Sequence, residues 1–123
     1  MIAVSATDDT IRTSELVSIE RMVNHLPVFS NYKMDRLKEV SAATFDILEE
    51  EDGLDILWDT VRRNLPERLF DTAYAVACDV AAADGTARET ELRLLADMRY
   101  ELNIDRLLAA AIEAGARARH RVL

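Results

Sequence analysis

Apolar side chains return every three to four positions along nearly the whole chain, the period of helices that turn one face to a core. Leu16, Ile19, Val23 and Leu26 predict a helix over about 11–26. Leu37, Val40, Ser41, Thr44, Phe45 and Leu48 predict another over about 34–50. A third, opened by Asp52-Gly53, carries Leu54, Leu57, Trp58, Val61 and Leu65. Pro66 stands where a first-turn proline belongs and predicts a helix running to about Ala83. Leu92, Leu95, Met98 and Leu102 mark the next, and Leu107, Leu108, Ala111 and Ile112 the last. The fold class expected is therefore all-α, with six to seven helices and no sheet.

The stretch Leu69–Ala83 breaks the amphipathic rule. Phe70, Ala73, Val76, Cys78, Val80 and Ala82 point in every direction around it, so this helix should lie at the centre of the bundle. Its alanines allow neighbours to come close. Asp79 interrupts it. A carboxylate there must be paired, hydrogen-bonded, protonated or bound to a metal, because an isolated buried charge costs several kcal/mol.

The polar positions reveal an internal repeat. Shifted by 76 residues, Val4–Leu26 lies over Val80–Leu102, and nine of the 23 positions are identical, among them Asp8 with Asp84, Glu15 with Glu91 and Leu16 with Leu92. After a six-residue insertion, Met34-Asp35-Arg36-Leu37 echoes Ile104-Asp105-Arg106-Leu107. One such unit cannot bury its apolar face alone. The expectation is a single domain over 1–123, with repeat one at about 1–48 and repeat two at about 66–118, the two packed pseudo-symmetrically as one bundle. The acidic run Glu49-Glu50-Glu51-Asp52 falls in the junction and reads as a solvated connection. The helix before Asp84 starts near Pro66, whereas Asp8 has seven residues ahead of it. The first unit is thus expected to be cut short, as by a shortened chain or a mis-assigned start at Met1, and loosely packed at its beginning.

Composition narrows the function. A formal net charge of −8 repels phosphate backbones and anionic lipid, which argues against nucleic acid as a partner. The basic tail Arg117, Arg119, His120, Arg121 suits a helix C-terminus. No apolar stretch is long enough to cross a bilayer, and the start carries no basic leader, so the location expected is cytoplasmic. A single cysteine, Cys78, allows neither an internal disulfide nor a thiolate metal site. His25 and His120 lack ligand spacing, and no nucleophile, Walker or Rossmann pattern exists. An EF-hand fails because, counting from Asp84, positions five and twelve are Arg88 and Leu95. No catalytic constellation remains, and the chain is not expected to be an enzyme.

Carboxylates remain as candidate chemistry, and oxygen ligands of this kind suit hard cations. Asp84 and Glu91 lie seven residues apart across a turn. Capping explains part of the turn: Gly85 can end one helix, and Thr86 with Glu89 can open the next, as Thr10 can in the first copy. It does not explain why Glu15 and Glu91 recur one turn further in. Arg88 is the competing partner, able to form a plain ion pair with either acid, so the cation site and the ion-pair network both stand open.

The run Ala81-Ala82-Ala83-Asp84-Gly85, followed by Glu91-Leu92, resembles the signature of the TerB-like family associated with tellurite resistance. Glu15-Leu16 and then Leu26-Pro27-Val28-Phe29 resemble the N-terminal half of bacterial members, so the resemblance spans nearly the whole chain. It implies an all-helical, cytoplasmic, non-catalytic accessory protein of tellurite resistance or stress response. It also implies a divalent-cation site (Ca²⁺, Mg²⁺ or Mn²⁺) at Asp79, Asp84 and Glu91, with Asp8 and Glu15 in the first copy. There Ala3 stands for the first acid and Asp9 for the usual glycine. The alternative is an acidic helical module that docks another protein and holds no metal.

Overall fold

A computed structural model describes residues 1–5, 13–83 and 88–123. Seven α-helices are found among them: α1 (Ile2–Ser5), α2 (Thr13–His25), α3 (Arg36–Leu48), α4 (Gly53–Asn64), α5 (Phe70–Ala81), α6 (Glu89–Glu101) and α7 (Arg106–Arg119). Two 3₁₀ turns, Pro27–Phe29 and Glu67–Leu69, precede α3 and α5, and the described residues contain no strand. The all-α expectation holds. Pro66 flanks the second 3₁₀ turn, so the helix it opens begins as 3₁₀ and becomes α at Phe70.

The element boundaries keep the register of the sequence match. α2 and α6 begin at 13 and 89 and end at 25 and 101, and α1 and α5 end at 5 and 81, each pair 76 residues apart. The departure in register has a local cause. After α6, Asn103 takes a left-handed backbone at φ 51°. The Ile104 N–H then donates to the Arg99 carbonyl and the Asn103 N–H to that of Tyr100, a Schellman closure. At the corresponding point the first copy has Pro27, whose ring fixes φ near −65° and which has no N–H to give. The chain leaves α2 through the Pro27–Phe29 turn instead and needs extra residues to reach α3. Asp105 then caps α7 by accepting from the Leu108 N–H at 3.1 Å, whereas Asp35 makes no such bond to α3.

As its composition requires, α5 is the central element. Tyr74, Val76, Ala77, Cys78, Val80 and Ala81 are all buried, and α1, α2, α6 and α7 pack against it. α1 also packs against α2, α3 and α6. Exchanging α1 with α5, α2 with α6 and α3 with α7 carries these pairings onto themselves, which is compatible with a duplicated unit. α4 stands outside that scheme and packs on α3, with Trp58 buried. The first unit differs from its expectation at its start. α1 is only four residues long, yet Ile2 and Val4 are 5% and 3% exposed, because the gap between α3, α5 and α6 takes them in.

α7 turns differently from the simple apolar reading. In α7, Leu107 is 80% exposed and Leu108 is exposed too, while Ala109, Ile112 and Ala116 face inward. Small side chains on that face let α7 lie close to α5. Where α3 meets α4, Gly53 is buried. A β-carbon there would run into the Ile47 carbonyl oxygen and stand 3.0 Å from the Leu48 Cα. Gly53→Ala should therefore destabilise the protein by about 1 kcal/mol or more, despite the roughly 1 kcal/mol by which alanine favours helix over glycine. Chemical denaturation checks this, and a stabilised variant would contradict the close approach.

Candidate acidic site

α2 and α6 share an inversion at their first turns. Glu15 and Glu91 are 2% and 1% exposed and are the only buried charged side chains among the described residues, whereas the leucines that follow them, Leu16 and Leu92, are exposed. Each glutamate is the third residue of its helix. Each occupies the position four residues before a core side chain, Ile19 in α2 and Leu95 in α6. The inward face thus reads Glu15, Ile19, Val23 and Glu91, Leu95, Met98, with acid where a hydrophobe would ordinarily sit. A first-turn carboxylate gains from the open N–H groups and the positive end of the helix dipole, which offsets part of its desolvation.

Arg88, the residue ahead of α6, holds its Nε 3.9 Å from Glu91 Oε1. That is a loose ion pair, and the guanidinium is 38% exposed in it. Arg88 is extended and makes no side-chain cap to α6. Asp84, Gly85 and Thr86 lie outside the described residues, and so do Asp8, Asp9 and Thr10. The turn contacts expected of them therefore fall outside the structure described, but α6 opens at Glu89 with Arg88 rather than Thr86 in the N-cap position, because the helix starts later than the Thr86–Glu89 capping box requires.

Asp79 is committed elsewhere. Its Oδ1 accepts from Arg119 Nη2 at 2.7 Å and Nε at 3.3 Å, and His120 Nε2 lies 3.2 Å away. The carboxylate that interrupts the apolar helix is thus matched by the last turn of α7, forty residues on. The basic tail does more than complement its own helix dipole: it ties α7 to α5. Nothing in local spacing signals this pairing, since the two ends meet only when α7 folds back along α5. A double-mutant cycle on Asp79 and Arg119 should give a coupling of roughly 1 kcal/mol, the upper end for a partly exposed pair. A coupling near zero would make the contact incidental. His25, by contrast, is an exposed residue at the end of α2, as its sequence position predicts.

Among the described residues, no three His, Cys, Asp or Glu side chains converge as a metal would require. Of the acids singled out in the sequence, Glu15 and Glu91 are brought to equivalent buried positions and Asp79 is drawn to α7. What fold and site define together is a class: an all-α bundle with a buried glutamate heading each of two helices in register. No protein-family model matches this chain, and no curated protein or solved structure matches it.

Proposed function

We propose that this chain is a non-enzymatic accessory protein of TerB type, serving tellurite resistance or stress response in the cytoplasm, whose acidic turns bind a divalent cation. The observation that carries the reading is the burial of Glu15 and Glu91 at the same place in two helices, each seven residues beyond an aspartate. A buried carboxylate is costly to keep when a hydrophobe would fill the position. Its recurrence beside an acidic turn is what a hard-cation site calls for. In this reading Asp84 with Glu91, and Asp8 with Glu15, supply the oxygens, and Asp79 is a structural partner of α7. Bound cation would neutralise acids that otherwise repel one another and would brace each turn against the head of the following helix.

Thermal unfolding in Ca²⁺, Mg²⁺ or Mn²⁺ tests this. An ion that recognises only the folded chain should raise its stability by roughly 2.7 kcal/mol at a hundredfold excess over the dissociation constant. The rise should exceed an equal-ionic-strength control, and Asp84→Asn and Glu91→Gln should remove it while the helical spectrum survives. No shift with any of the three ions would end the metal reading. A second reading, an acidic module that docks another protein, is favoured by the exposure of Tyr100 (84%) and Leu107 (80%) at adjoining ends of α6 and α7. Loss of a co-purifying protein on Tyr100→Ser with Leu107→Ser would support it.

A further inference from the structure

The larger cavities are lined by neither Glu15 nor Glu91. An open cleft of about 450 Å³ is lined by α4, α5 and the Pro27–Phe29 turn. It adjoins a second of about 270 Å³ beneath α1 and α3, and the two share Met1, Phe29, Val61 and Met98 in their walls, where the amino terminus of the chain is buried. The volumes fall within the range of pockets that take small organic ligands. The walls are almost wholly apolar. The outer chamber's polar side chains on α4 are occupied by their own helix: the Thr60 hydroxyl donates to the Ile56 carbonyl at 2.7 Å, and Asn64 Nδ2 to the Thr60 carbonyl at 2.8 Å.

The outer chamber opens between the two 3₁₀ turns. Val28, Leu69 and Thr72 line both the chamber and an outer vestibule, and the vestibule adds Arg68. Arg68 is exposed, and no described carboxylate pairs with it. Of its acidic neighbours in sequence, Asp71 is already engaged, accepting from the Thr72 N–H at 2.7 Å. The arrangement is a line of adjoining, half-open apolar clefts with an exposed guanidinium at the outer one. The chain's net charge of −8 works against an approaching anion, but beyond a Debye length of about 8–10 Å that repulsion is screened. At the mouth Arg68, flanked in sequence by the exposed acids Glu67 and Asp71, presents a guanidinium, which can grip a carboxylate through two parallel hydrogen bonds.

We propose that this passage binds one long-chain carboxylate, a free fatty acid, with its chain in the two chambers and its head on Arg68. The site includes neither Glu15 nor Glu91 and stands whether or not the acidic turns bind a cation. Titration calorimetry with octanoate, dodecanoate and hexadecanoate, each below its micellar concentration, tests it on the full chain. One molecule should bind per protein. Affinity should rise roughly fourfold for each methylene added until the inner chamber is full. Dodecanoate should bind about tenfold more tightly than dodecanol, and Arg68→Gln should erase that preference while leaving the alcohol's affinity unchanged. Thr72→Trp, which plugs the neck from a half-buried position, should abolish binding of both, with its melting curve confirming that it folds. Non-saturable uptake, affinity independent of chain length, equal binding of acid and alcohol, or undiminished binding to a folded Thr72→Trp would each overturn the proposal.

Discussion

Replacing Ile19 by alanine should lower the unfolding free energy by about 2–5 kcal/mol, while the same change at Leu16, three positions earlier, should cost about 1 kcal/mol or less. The contrast follows from the inversion at the head of α2. Ile19 is fully buried on the face that carries Glu15, and Leu16 is 39% exposed on another. Truncating Ile19 removes apolar area from the core and leaves a cavity that closely packed neighbours fill only in part. Truncating Leu16 removes a side chain that is already partly in water and leaves no closed cavity. α6 should repeat the result, with Leu95→Ala costly and Leu92→Ala mild, since these are 7% and 54% exposed. Denaturant titration of the four variants would decide it. Equal costs within each pair would mean that the helices are rotated and that the glutamates are not inside. The experiment therefore also tests the burial on which the cation proposal rests.

Stability should also fall steeply once the pH rises past 9. Burial pushes the Cys78 thiol up from 9.0 to about 11, the Tyr74 hydroxyl beside it lowering it somewhat, and burial carries the Tyr74 phenol above its ordinary range as well. Both groups are acids whose folded pKa is raised. Below pH 9 each is protonated in the folded and unfolded chain alike, and their contribution is complete. Above it the unfolded chain gives up its protons first, so stability is lost as the pH climbs through 9 toward 11 and beyond. For the thiol alone the loss by pH 11 is about 2 kcal/mol, and Tyr74 adds to it. Melting midpoints measured from pH 8 to 11 should show the fall. Cys78→Ala should flatten part of it and Tyr74→Phe another part. A midpoint level across that range, or a slope in both variants unchanged from the parent protein, would contradict the burial of the pair. The same shift keeps Cys78 a neutral thiol, so its alkylation should be slow in the native protein and rapid in denaturant.

Much of this was legible along the chain. The 3.6-residue period, the scarcity of glycine and proline and the excess of aliphatic side chains determine helices, since only that structure presents such a pattern on one face. The central place of α5 follows from its lack of a polar face. The match between Val4–Leu26 and Val80–Leu102 is written in their identities, and α2 and α6 begin and end at matching positions of it. Even the different exits of those helices are local, decided by proline at 27 and asparagine at 103.

Tertiary structure decided the rest, because each remaining feature depends on residues distant in the chain. Periodicity alone cannot say which of two neighbouring stripes faces inward when both contain leucine. Packing against α5 chose the stripe with Glu15 and Glu91 and left Leu16 and Leu92 outside. In α7, close approach to α5 selected Ala109 and Ala116 over the larger Leu107 and Leu108. The choice of partner for Asp79 was decided in the same way. The sequence shows that a carboxylate inside an apolar helix needs a counter-charge. Only the return of α7 along α5 places Arg119 and His120 beside it, and the physical reason is that an ion pair between helices forty residues apart leaves no periodic trace in either one.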